Sequence, residues 1–506
     1  MTYSVINQVV TAPPPPGHRI SFTRMGGTDS LDLGDLYERA GHLARRLTGL
    51  GVRPGDRIGI QGANCLEWVL LDLAALRLKV VTAGFEPGRF EPRSTLPSRY
   101  RLRLFCTDQP WDGPGVVPFS EVRRLADGAS TAPALPPVGY APDDVTTLKF
   151  TSGSTGQPKG LGATVGSIDS SLRAVQQMFS HAPGDDLFVF LPLSLLQQRY
   201  WIYSALCFGH DVTVSTYQAA FAALGTAQPT VVMGVPAFFE AARTHIEAQA
   251  GPAGTDDVLR RAAVRLFGDR IRYLWTGSAP ASGAMLRFFT ALGMPIYEGY
   301  GLNETCIVTK NHPGACKVGS VGQVLPEKQV LLDPDGIISV RCDYPVNRRY
   351  EYAAPGESER VFGTGGVVRT GDVGYLDEDG FLFVRGRADD VIVLANGKNV
   401  TVRPIEEHMR ESPAIEECVL VSPTRTHLVA VVSPARQPAD EAAIASQLAR
   451  TNSVFGAEGR ISRVVVATDR FSVENGLLTS QFKPRRARIE EMYRSQIQDS
   501  ERGIHA

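Results

Sequence analysis

Ten consecutive residues, 151–160, have the composition of a phosphate-binding loop. They read Thr-Ser-Gly-Ser-Thr-Gly-Gln-Pro-Lys-Gly. Glycines let the backbone adopt conformations in which successive N–H groups point at one anion. The hydroxyl groups add hydrogen-bond donors, and Lys159 adds a positive charge. The apolar residues 145–150 predict a buried strand that presents this loop at the edge of a sheet.

Five further segments combine glycines with carboxylates, amides or basic side chains that suit a nucleotide and its metal ion. They are YLWTGSAP at 273–280, YEGYGLNET at 297–305, RTGD at 369–372, GRADD at 386–390 and NGLLTSQFK at 475–483. A carboxylate accepts hydrogen bonds from ribose hydroxyls or binds Mg²⁺, and an arginine fork binds phosphate or ribose oxygens. The loop at 151–160 does not end in the Gly-Lys-Ser/Thr of Walker-type loops.

In this order, the six segments resemble those of the adenylate-forming (AMP-binding) superfamily. That family holds acyl-CoA synthetases, luciferases and the adenylation domains of peptide synthetases. In sequence, the segments at 191–194, 234–236 and 397–400 most resemble those of long-chain fatty acyl-CoA synthetases. The resemblance implies ATP and Mg²⁺ as cofactors.

The resemblance also implies a role for individual residues. The nucleotide-binding set is Thr151, Ser152, Gly153, Ser154, Thr155, Gly156, Lys159, Gly277, Ser278, Ala279, Glu298, Gly299, Tyr300, Gly301, Asn303, Asp372 and Arg387. Thr155 and Glu304 would bind the metal ion. The catalytic set is Glu304, Arg387 and Lys483, with Lys483 meeting the charge that develops at the α-phosphate. Asp390 falls at the family's hinge aspartate.

The chain departs from the family pattern at the acid end of the site. Leu195 stands where the family commonly places a histidine beside the acid, and Gln197 and Gln198 follow it. Asn303 replaces a threonine, and Asp389 replaces the lysine before the hinge aspartate. We expect the substrate pocket to include Leu195, Gln198, Tyr203, Val235 and Phe239.

The function expected first is therefore an AMP-forming ligase that adenylates an oxyanion, most simply a carboxylate, and transfers it to CoA, a carrier-protein thiol or an amine. One alternative is an ATP-dependent diazotase of secondary metabolism, which activates nitrite and passes it to an aromatic amine. The altered acid end and the polar residues 197–199 are compatible with a small inorganic oxyanion. The other alternative is an ATP-binding scaffold without turnover, which would have no need of Lys483.

Bulk composition narrows the class of protein. The 506 residues contain 43% hydrophobic and 21% charged residues, which is ordinary for a globular protein, and the net charge of −1 argues against a nucleic-acid partner. Seven scattered cysteines without a CxxC pair predict neither a disulfide framework nor a zinc site. No basic segment followed by an apolar run opens the chain, and no apolar window is long enough to span a bilayer. We therefore expect a cytoplasmic location.

Hydrophobic periodicity predicts an α/β protein of two domains. Helical and strand patterns alternate from residue 31 to about 274, which indicates layered βαβ units around parallel sheets. Short β segments from about 315 predict a β-rich subdomain. We expect residues 1–388 to form the N-terminal AMP-binding domain and 389–506 to form a small, mobile α+β lid domain.

Overall fold

The chain forms two compact units in a computed structural model. The first comprises Met1–Leu331 and Ser339–Arg369, and the second comprises Leu332–Ile338 and Thr370–Ala506. The structure describes residues 3–86, 90, 93–111, 113–128, 135–152, 158–251, 254–344, 349–388, 391–395, 399–424, 426–456, 459–479, 482–499 and 503–505.

The larger sheet of the first unit has nine strands in the described part of the chain. In spatial order they are Gln323–Val324, Cys306–Lys310, Ile296–Leu302, Tyr273–Thr276, Val231–Met233, Asp186–Val189, Asp211–Val214, Arg19–Arg24 and Gly27–Asp32. The central strands pair in parallel, and antiparallel pairs close both edges. The carboxyl ends of neighbouring parallel strands meet at one edge, where ligands bind in open α/β sheets.

A second sheet of the first unit, six-stranded among the described residues, carries the predicted phosphate loop. Its order is Val116–Pro118, Leu104–Thr107, Arg57–Gln61, Val81–Phe85, Val145–Ser152 and Pro158–Thr164. Its pairs are parallel except the last, in which Val145–Ser152 and Pro158–Thr164 run antiparallel. The expected strand at 145–150 is confirmed, and it lies next to the edge strand.

Helices cover these sheets. In the first unit they are Val5–Thr11, Leu33–Gly49, Leu66–Arg77, Leu96–Arg99, Phe119–Asp127, Val165–Phe179, Leu196–Phe208, Ala220–Ala227, Pro236–Ala250, Asp256–Phe267, Gly283–Ala291 and Glu357–Val361. Leu33–Gly49 buries one stripe at i, i+3 and i+4 spacing, as its periodicity predicts. Leu66–Arg77 and Leu196–Phe208 are buried on nearly every side, which is typical of helices inside a protein.

The second unit has a core on both faces of its own sheet. The strands Ile415–Val421, Leu428–Pro434, Ile461–Val466 and Ile504–His505 form this sheet, and Val391–Val393 pairs with Asn399–Thr401. Alternate residues point to opposite faces, so Leu420 packs with Ile405 and Ile444 while Val419 packs with Phe471 and Ile489. The helices are Val402–Met409, Glu441–Phe455, Arg486–Met492 and Arg494–Gln498.

Four strands lie near the division between the units. Lys328–Leu332, Ile337–Cys342 and Val367–Leu376 each contribute residues to both units, and Leu382–Arg387 belongs to the second. Within the second unit, residues 372–376 pair antiparallel with 382–387. None of the helices in the described ranges is long and apolar enough to cross a membrane.

Candidate functional site

Two antiparallel strands position the predicted phosphate loop. Thr151 pairs with Lys159 and Ser152 with Pro158, so the strands converge on the loop between them. The loop residues Gly153, Ser154, Thr155 and Gly156 lie outside the described residues, and only the backbone of Thr151 and Ser152 is described.

Lys159 is described in full and is paired with a carboxylate. Its Nζ lies 2.8 Å from Oε1 of Glu357, and 13% of its side chain is exposed. The hydrogen bond from Lys159 lowers the pKa of Glu357. The lysine that the sequence assigns to a phosphate is thus paired with a carboxylate. Carboxylate oxygens, like phosphate oxygens, are negatively charged hydrogen-bond acceptors.

Tyr350 connects this lysine to the predicted metal-binding carboxylate. The Nζ of Lys159 lies 5.1 Å from the centre of the Tyr350 ring, within the range of a cation–π contact. The Tyr350 hydroxyl donates a hydrogen bond of 2.7 Å to Oε1 of Glu304. Lys159 and Glu304 are 145 residues apart in sequence (304 − 159), and the structure brings them to one tyrosine.

The segment that carries Tyr350 is fastened beside the phosphate strand. Gly160 and Glu351 exchange two backbone hydrogen bonds of 2.8 Å. Arg57 adds an ion pair to Glu351 at 2.8 Å and a hydrogen bond to the Tyr352 hydroxyl at 2.6 Å. Sequence reasoning did not identify Tyr350 or Glu357, because neither belongs to a recognised segment and both act through long-range contacts.

Asn303 and Glu304 lie at the tip of a tight hairpin between the strands Ile296–Leu302 and Cys306–Lys310. Thr305 Oγ1 accepts a hydrogen bond from the Leu302 backbone N–H at 2.9 Å. A Cβ atom on Gly301 would lie 2.0 Å from the Cys306 carbonyl oxygen, so the two strands approach too closely for any side chain at that position.

Two buried lysines hold this hairpin from outside. Lys149 Nζ donates to the Asn303 carbonyl at 2.5 Å, and Lys328 Nζ donates to the Thr305 carbonyl at 2.8 Å and to the Ile307 carbonyl. Burial raises the pKa of the Cys306 thiol, but the ammonium groups of Lys149 and Lys328 outweigh that effect and hold it below its usual value. The hairpin tip therefore sits in a positive field.

Two segments of the predicted nucleotide-binding set, 277–279 and 298–301, lie near the carboxyl ends of adjacent parallel strands. Thr276 pairs with Glu298. Residues 277–279 follow the end of the first strand, while residues 299–301 continue the second and pair antiparallel with the strand Cys306–Lys310. The buried Glu298 accepts a hydrogen bond of 2.9 Å from the Ala281 backbone N–H. Ser278 has a φ of 70°, a left-handed conformation that is uncommon outside glycine. The predicted set Gly277, Ser278, Ala279, Glu298, Gly299, Tyr300 and Gly301 thus lies in one place.

Lys310, which sequence reasoning missed, lies beneath this region. It is fully buried, its Nζ is 3.3 Å from the centre of the Trp275 ring, and it donates to the Tyr297 carbonyl at 2.7 Å. Burial lowers the pKa of Lys310 well below its usual value, against the opposing effect of Glu298. Sequence patterns carry no signal for its burial, because a lysine at the end of an apolar strand usually extends into solvent.

A small cleft, partly open to solvent, lies beside the hairpin tip. It is lined by Gly84, Glu86, Phe90, Lys149, Phe150, Ser194, Leu195 and Asn303. Leu195 is the one predicted pocket residue among those that line this cleft.

The other four predicted pocket residues do not line this cleft. Gln198, Tyr203, Val235 and Phe239 are all buried in the interior of the first unit. Tyr203 donates to Asp72, and Phe239 packs against Phe289 at a ring separation of 5.9 Å.

Arg199 also lies in the interior. Its Nη1 is 2.7 Å from Asp72 Oδ1, its Nη2 donates to Thr147 Oγ1 at 2.8 Å, and 2% of its side chain is exposed. The positive charge of Arg199, which the sequence analysis considered compatible with a small oxyanion substrate, is therefore already paired with Asp72.

The remaining predicted residues belong to the second unit. Asp372 and Arg387 are direct partners across a hairpin, with Arg387 Nη1 3.4 Å from Asp372 Oδ1. Asp372 is buried, and Arg387 has 40% of its side chain exposed. Lys483 is exposed in a turn, where its carbonyl accepts a hydrogen bond of 2.8 Å from the Thr479 N–H. Asp390 lies outside the described residues.

The donor set suits Mg²⁺ bound together with a phosphate ligand. No group of three or more His, Cys, Asp or Glu side chains in the described ranges could hold a metal ion alone. Mg²⁺ usually takes one or two carboxylates and fills its other positions with water and substrate phosphates. Glu304 offers one such carboxylate at the hairpin tip.

Family models match most of the chain. Residues 12–95 and 105–340 match the model described as AMP-binding enzyme, and residues 389–502 match the model of the AMP-binding enzyme C-terminal domain. The chain belongs to the AMP-binding enzyme family. The predicted α/β fold and the prediction of an AMP-forming ligase of the acyl-CoA synthetase type are confirmed.

Individual relatives of this AMP-binding enzyme agree with that class. It is 30% identical to the long-chain-fatty-acid–CoA ligase FadD15 of Mycobacterium bovis over 452 residues, which cover 76% of this chain and 74% of the relative. It is 24% identical to the 2-succinylbenzoate–CoA ligase of Bacillus cereus over 409 residues, covering 77% and 80%.

Solved structures share the fold. ATP-bound MatB from Rhodopseudomonas palustris superposes with a TM-score of 0.79 at 22% identity, covering 98% of this chain and 100% of that one. These comparisons give the diazotase alternative no support.

Proposed function

We propose that this enzyme joins a carboxylic acid to CoA through an acyl-adenylate, using ATP and Mg²⁺. The observation that carries the proposal is the arrangement of Lys159, Tyr350 and Glu304, in which a phosphate-loop lysine and a hairpin-tip carboxylate meet at one side chain. A phosphate chain with its metal ion needs these two groups close together.

The residues predicted to bind the phosphates, the metal ion and the ribose each have a role in the proposal. Residues 151–156 and Lys159 hold the β- and γ-phosphates, Glu304 and Thr155 hold Mg²⁺, and Asn303 donates to an α-phosphate oxygen. Asp372 accepts hydrogen bonds from the ribose hydroxyls, and Arg387 binds ribose or phosphate oxygens.

The C-terminal domain, residues 389–506, supplies Lys483 to the α-phosphate by rotating about Asp390. The family model of the C-terminal domain begins at residue 389, which supports this domain boundary.

Two steps account for the products. A carboxylate oxygen attacks the α-phosphorus, the new C–O–P bond forms, and the bond to the β-phosphate oxygen breaks to release pyrophosphate. The sulfur of CoA then attacks the acyl carbon, its proton passes to solvent, and the C–O bond breaks to release AMP. Bound at Glu304 and Thr155, Mg²⁺ would supply positive charge that neutralises the phosphates.

The test is a substrate panel monitored by pyrophosphate release. Dodecanoate, octanoate, benzoate and 2-succinylbenzoate are each supplied with MgATP, with and without CoA. We expect AMP and pyrophosphate with at least one acid, and a CoA thioester by mass spectrometry. A carrier-protein thiol or an amine replaces CoA in parallel reactions. AMP formation without thioester would identify a different acceptor, whereas no AMP with any acid would support the non-catalytic scaffold.

Two variants test the assigned roles. Glu304→Gln should lower kcat for AMP formation on the order of 100-fold, because the metal loses its carboxylate. Glu38→Gln, an exposed carboxylate on the helix Leu33–Gly49, serves as the matched control and should leave kcat unchanged. Lys483→Ala should abolish AMP formation and leave ATP binding intact, and wild-type turnover in this variant would refute the role of Lys483.

A further inference from the structure

The residues that line the cleft at the hairpin tip have more hydrogen-bond donors than the described residues there accept. Lys149 is one of the residues that line the cleft, and it is 6% exposed. Its ammonium group has three N–H donors, and within the described residues its one hydrogen-bond partner is the Asn303 carbonyl. A buried ammonium is costly unless an anion lies beside it.

Ser194 supplies a second donor to the same cleft. Its Oγ atom is buried and has no hydrogen-bond partner among the described residues. The Cβ and Cα of Ser194 would lie within 2.9 Å of a Cβ on Gly84, so the glycine permits this close approach. Buried hydroxyl groups are normally hydrogen-bonded, so an unsatisfied one that lines a cleft requires a partner such as a water or a ligand.

From these two groups we propose that Lys149 and Ser194 bind the carboxylate of the acid that is activated. The inference rests on the proposed function and deepens it. Leu195 lines the same cleft, but its side chain has no hydrogen-bond donor. The charged contact to the acid is therefore made by Lys149, on the strand Val145–Ser152. A carboxylate held there lies beside Asn303, which is assigned to the α-phosphate, and therefore close to the phosphorus that it attacks.

Glu86 lines the cleft as well, and its carboxylate adds a negative charge to the positive charge of Lys149. Its carboxylate opposes binding of a second carboxylate and partly offsets Lys149. The inference therefore makes two opposite predictions. Removing the charge of Lys149 weakens binding of the acid, and removing the charge of Glu86 strengthens it.

Steady-state KM values for the acid and for MgATP are measured for wild type, Lys149→Met, Lys149→Arg, Ser194→Ala and Glu86→Gln. The four acids of the panel are the probes, and every acid that is turned over is used. We expect Lys149→Met to raise the acid KM about tenfold or more, as loss of a charged hydrogen bond does. Ser194→Ala should raise the acid KM by a smaller factor. Lys149→Arg, which keeps the charge, should have an acid KM close to that of wild type, and Glu86→Gln should have a lower one. The KM for MgATP should stay within about twofold in all four.

Lys328→Met separates binding from support of the hairpin. Lys328 holds the Thr305 and Ile307 carbonyls of the same hairpin but does not line the cleft. If Lys149 acts only by holding the hairpin, both methionine variants should lower kcat and neither should raise the acid KM selectively. A melting temperature for each variant identifies any that fail to fold, and Lys149→Arg and Glu86→Gln then decide the question.

The possible failures are distinguishable. Unchanged acid KM in Lys149→Met, with AMP still formed, contradicts this inference alone. A selective rise in the KM for MgATP places Lys149 on a phosphate and also overturns it. A wild-type enzyme that forms no AMP with any of the four acids contradicts the proposed function, and this inference with it.

Discussion

The Nζ of Lys159 lies 2.8 Å from Oε1 of Glu357, so the phosphate-loop lysine already has an anionic partner within the first unit. Tyr350 lies against the same lysine and donates to Glu304. Under the proposed role of Lys159, binding of ATP exchanges this carboxylate for a phosphate, which makes the Glu357 carboxylate a competitor of the nucleotide.

Glu357→Gln should lower the KM for MgATP about three- to tenfold, because the competing charge is gone and a larger fraction of the enzyme is ready to bind. Glu359→Gln, an exposed carboxylate two residues along the same helix, is the control and should leave this KM unchanged. Initial-rate measurements of pyrophosphate release give both values. A higher KM in Glu357→Gln would mean that Glu357 orients Lys159 for binding.

Gly301→Ala should disrupt the hairpin that carries Asn303 and Glu304, because the new Cβ would lie 2.0 Å from the Cys306 carbonyl oxygen. We expect kcat for AMP formation to fall on the order of 100-fold, since small displacements of aligned groups are costly. Gly34→Ala is the matched control, because a Cβ there meets nothing within 4 Å and lies in a helix. Wild-type kcat in Gly301→Ala would contradict the hairpin's role.

Asp72→Asn should destabilise the first unit by about 3–5 kcal/mol, because it leaves the buried Arg199 without its counter-ion. The Arg199–Asp72 pair joins helices and strands that are far apart in sequence, with Arg199 also bound to Thr82 and Thr147. Urea unfolding followed by tryptophan fluorescence measures the loss. Glu247→Gln, which removes the exposed i, i+4 pair with Arg243, should cost only about 0.3–0.5 kcal/mol.

Asp186 should make the free energy of unfolding fall as pH rises. Burial raises its pKa to about 6, whereas an unfolded Asp titrates near 3.9. The folded state therefore binds this proton more tightly than the unfolded state does. The resulting contribution to the free energy of unfolding, roughly 2–3 kcal/mol, is fully present below about pH 4 and is lost as pH rises to about 6. Asp186→Asn should remove that slope. If the wild-type and variant stability curves run parallel across this range, the Asp186 carboxyl does not titrate as stated.

Local sequence patterns predicted much of the first unit. The helix Leu33–Gly49 and the strands Arg57–Gln61 and Val81–Phe85 follow directly from apolar periodicity and turn residues. The strand order of the nine-stranded sheet was not predictable, because Arg19–Arg24 pairs with Asp211–Val214 nearly 190 residues later (211 − 24 = 187). Such pairings depend on packing, for which a single sequence carries no local signal.

The acid end of the site shows the same limit. Tyr203 and Gln198 were expected at the pocket because their segment follows a predicted strand, 187–191, on the nucleotide side. Their helix is buried on nearly every side, so periodicity cannot show which of its residues face a cleft. Asp72, which binds Tyr203 and Arg199, comes from another buried helix. Lys149 and Ser194 reach the cleft from separate segments that no single stretch of sequence connects.

Transfer of oxygen from the acid to AMP tests the central claim most directly. The acid of the panel that gives the fastest pyrophosphate release is labelled with ¹⁸O in both carboxylate oxygens and incubated with MgATP and CoA. Mass spectrometry of the products should show AMP carrying one ¹⁸O atom, because the attacking oxygen stays on phosphorus when CoA displaces AMP. Unlabelled AMP, or ADP in place of AMP, would contradict an acyl-adenylate intermediate.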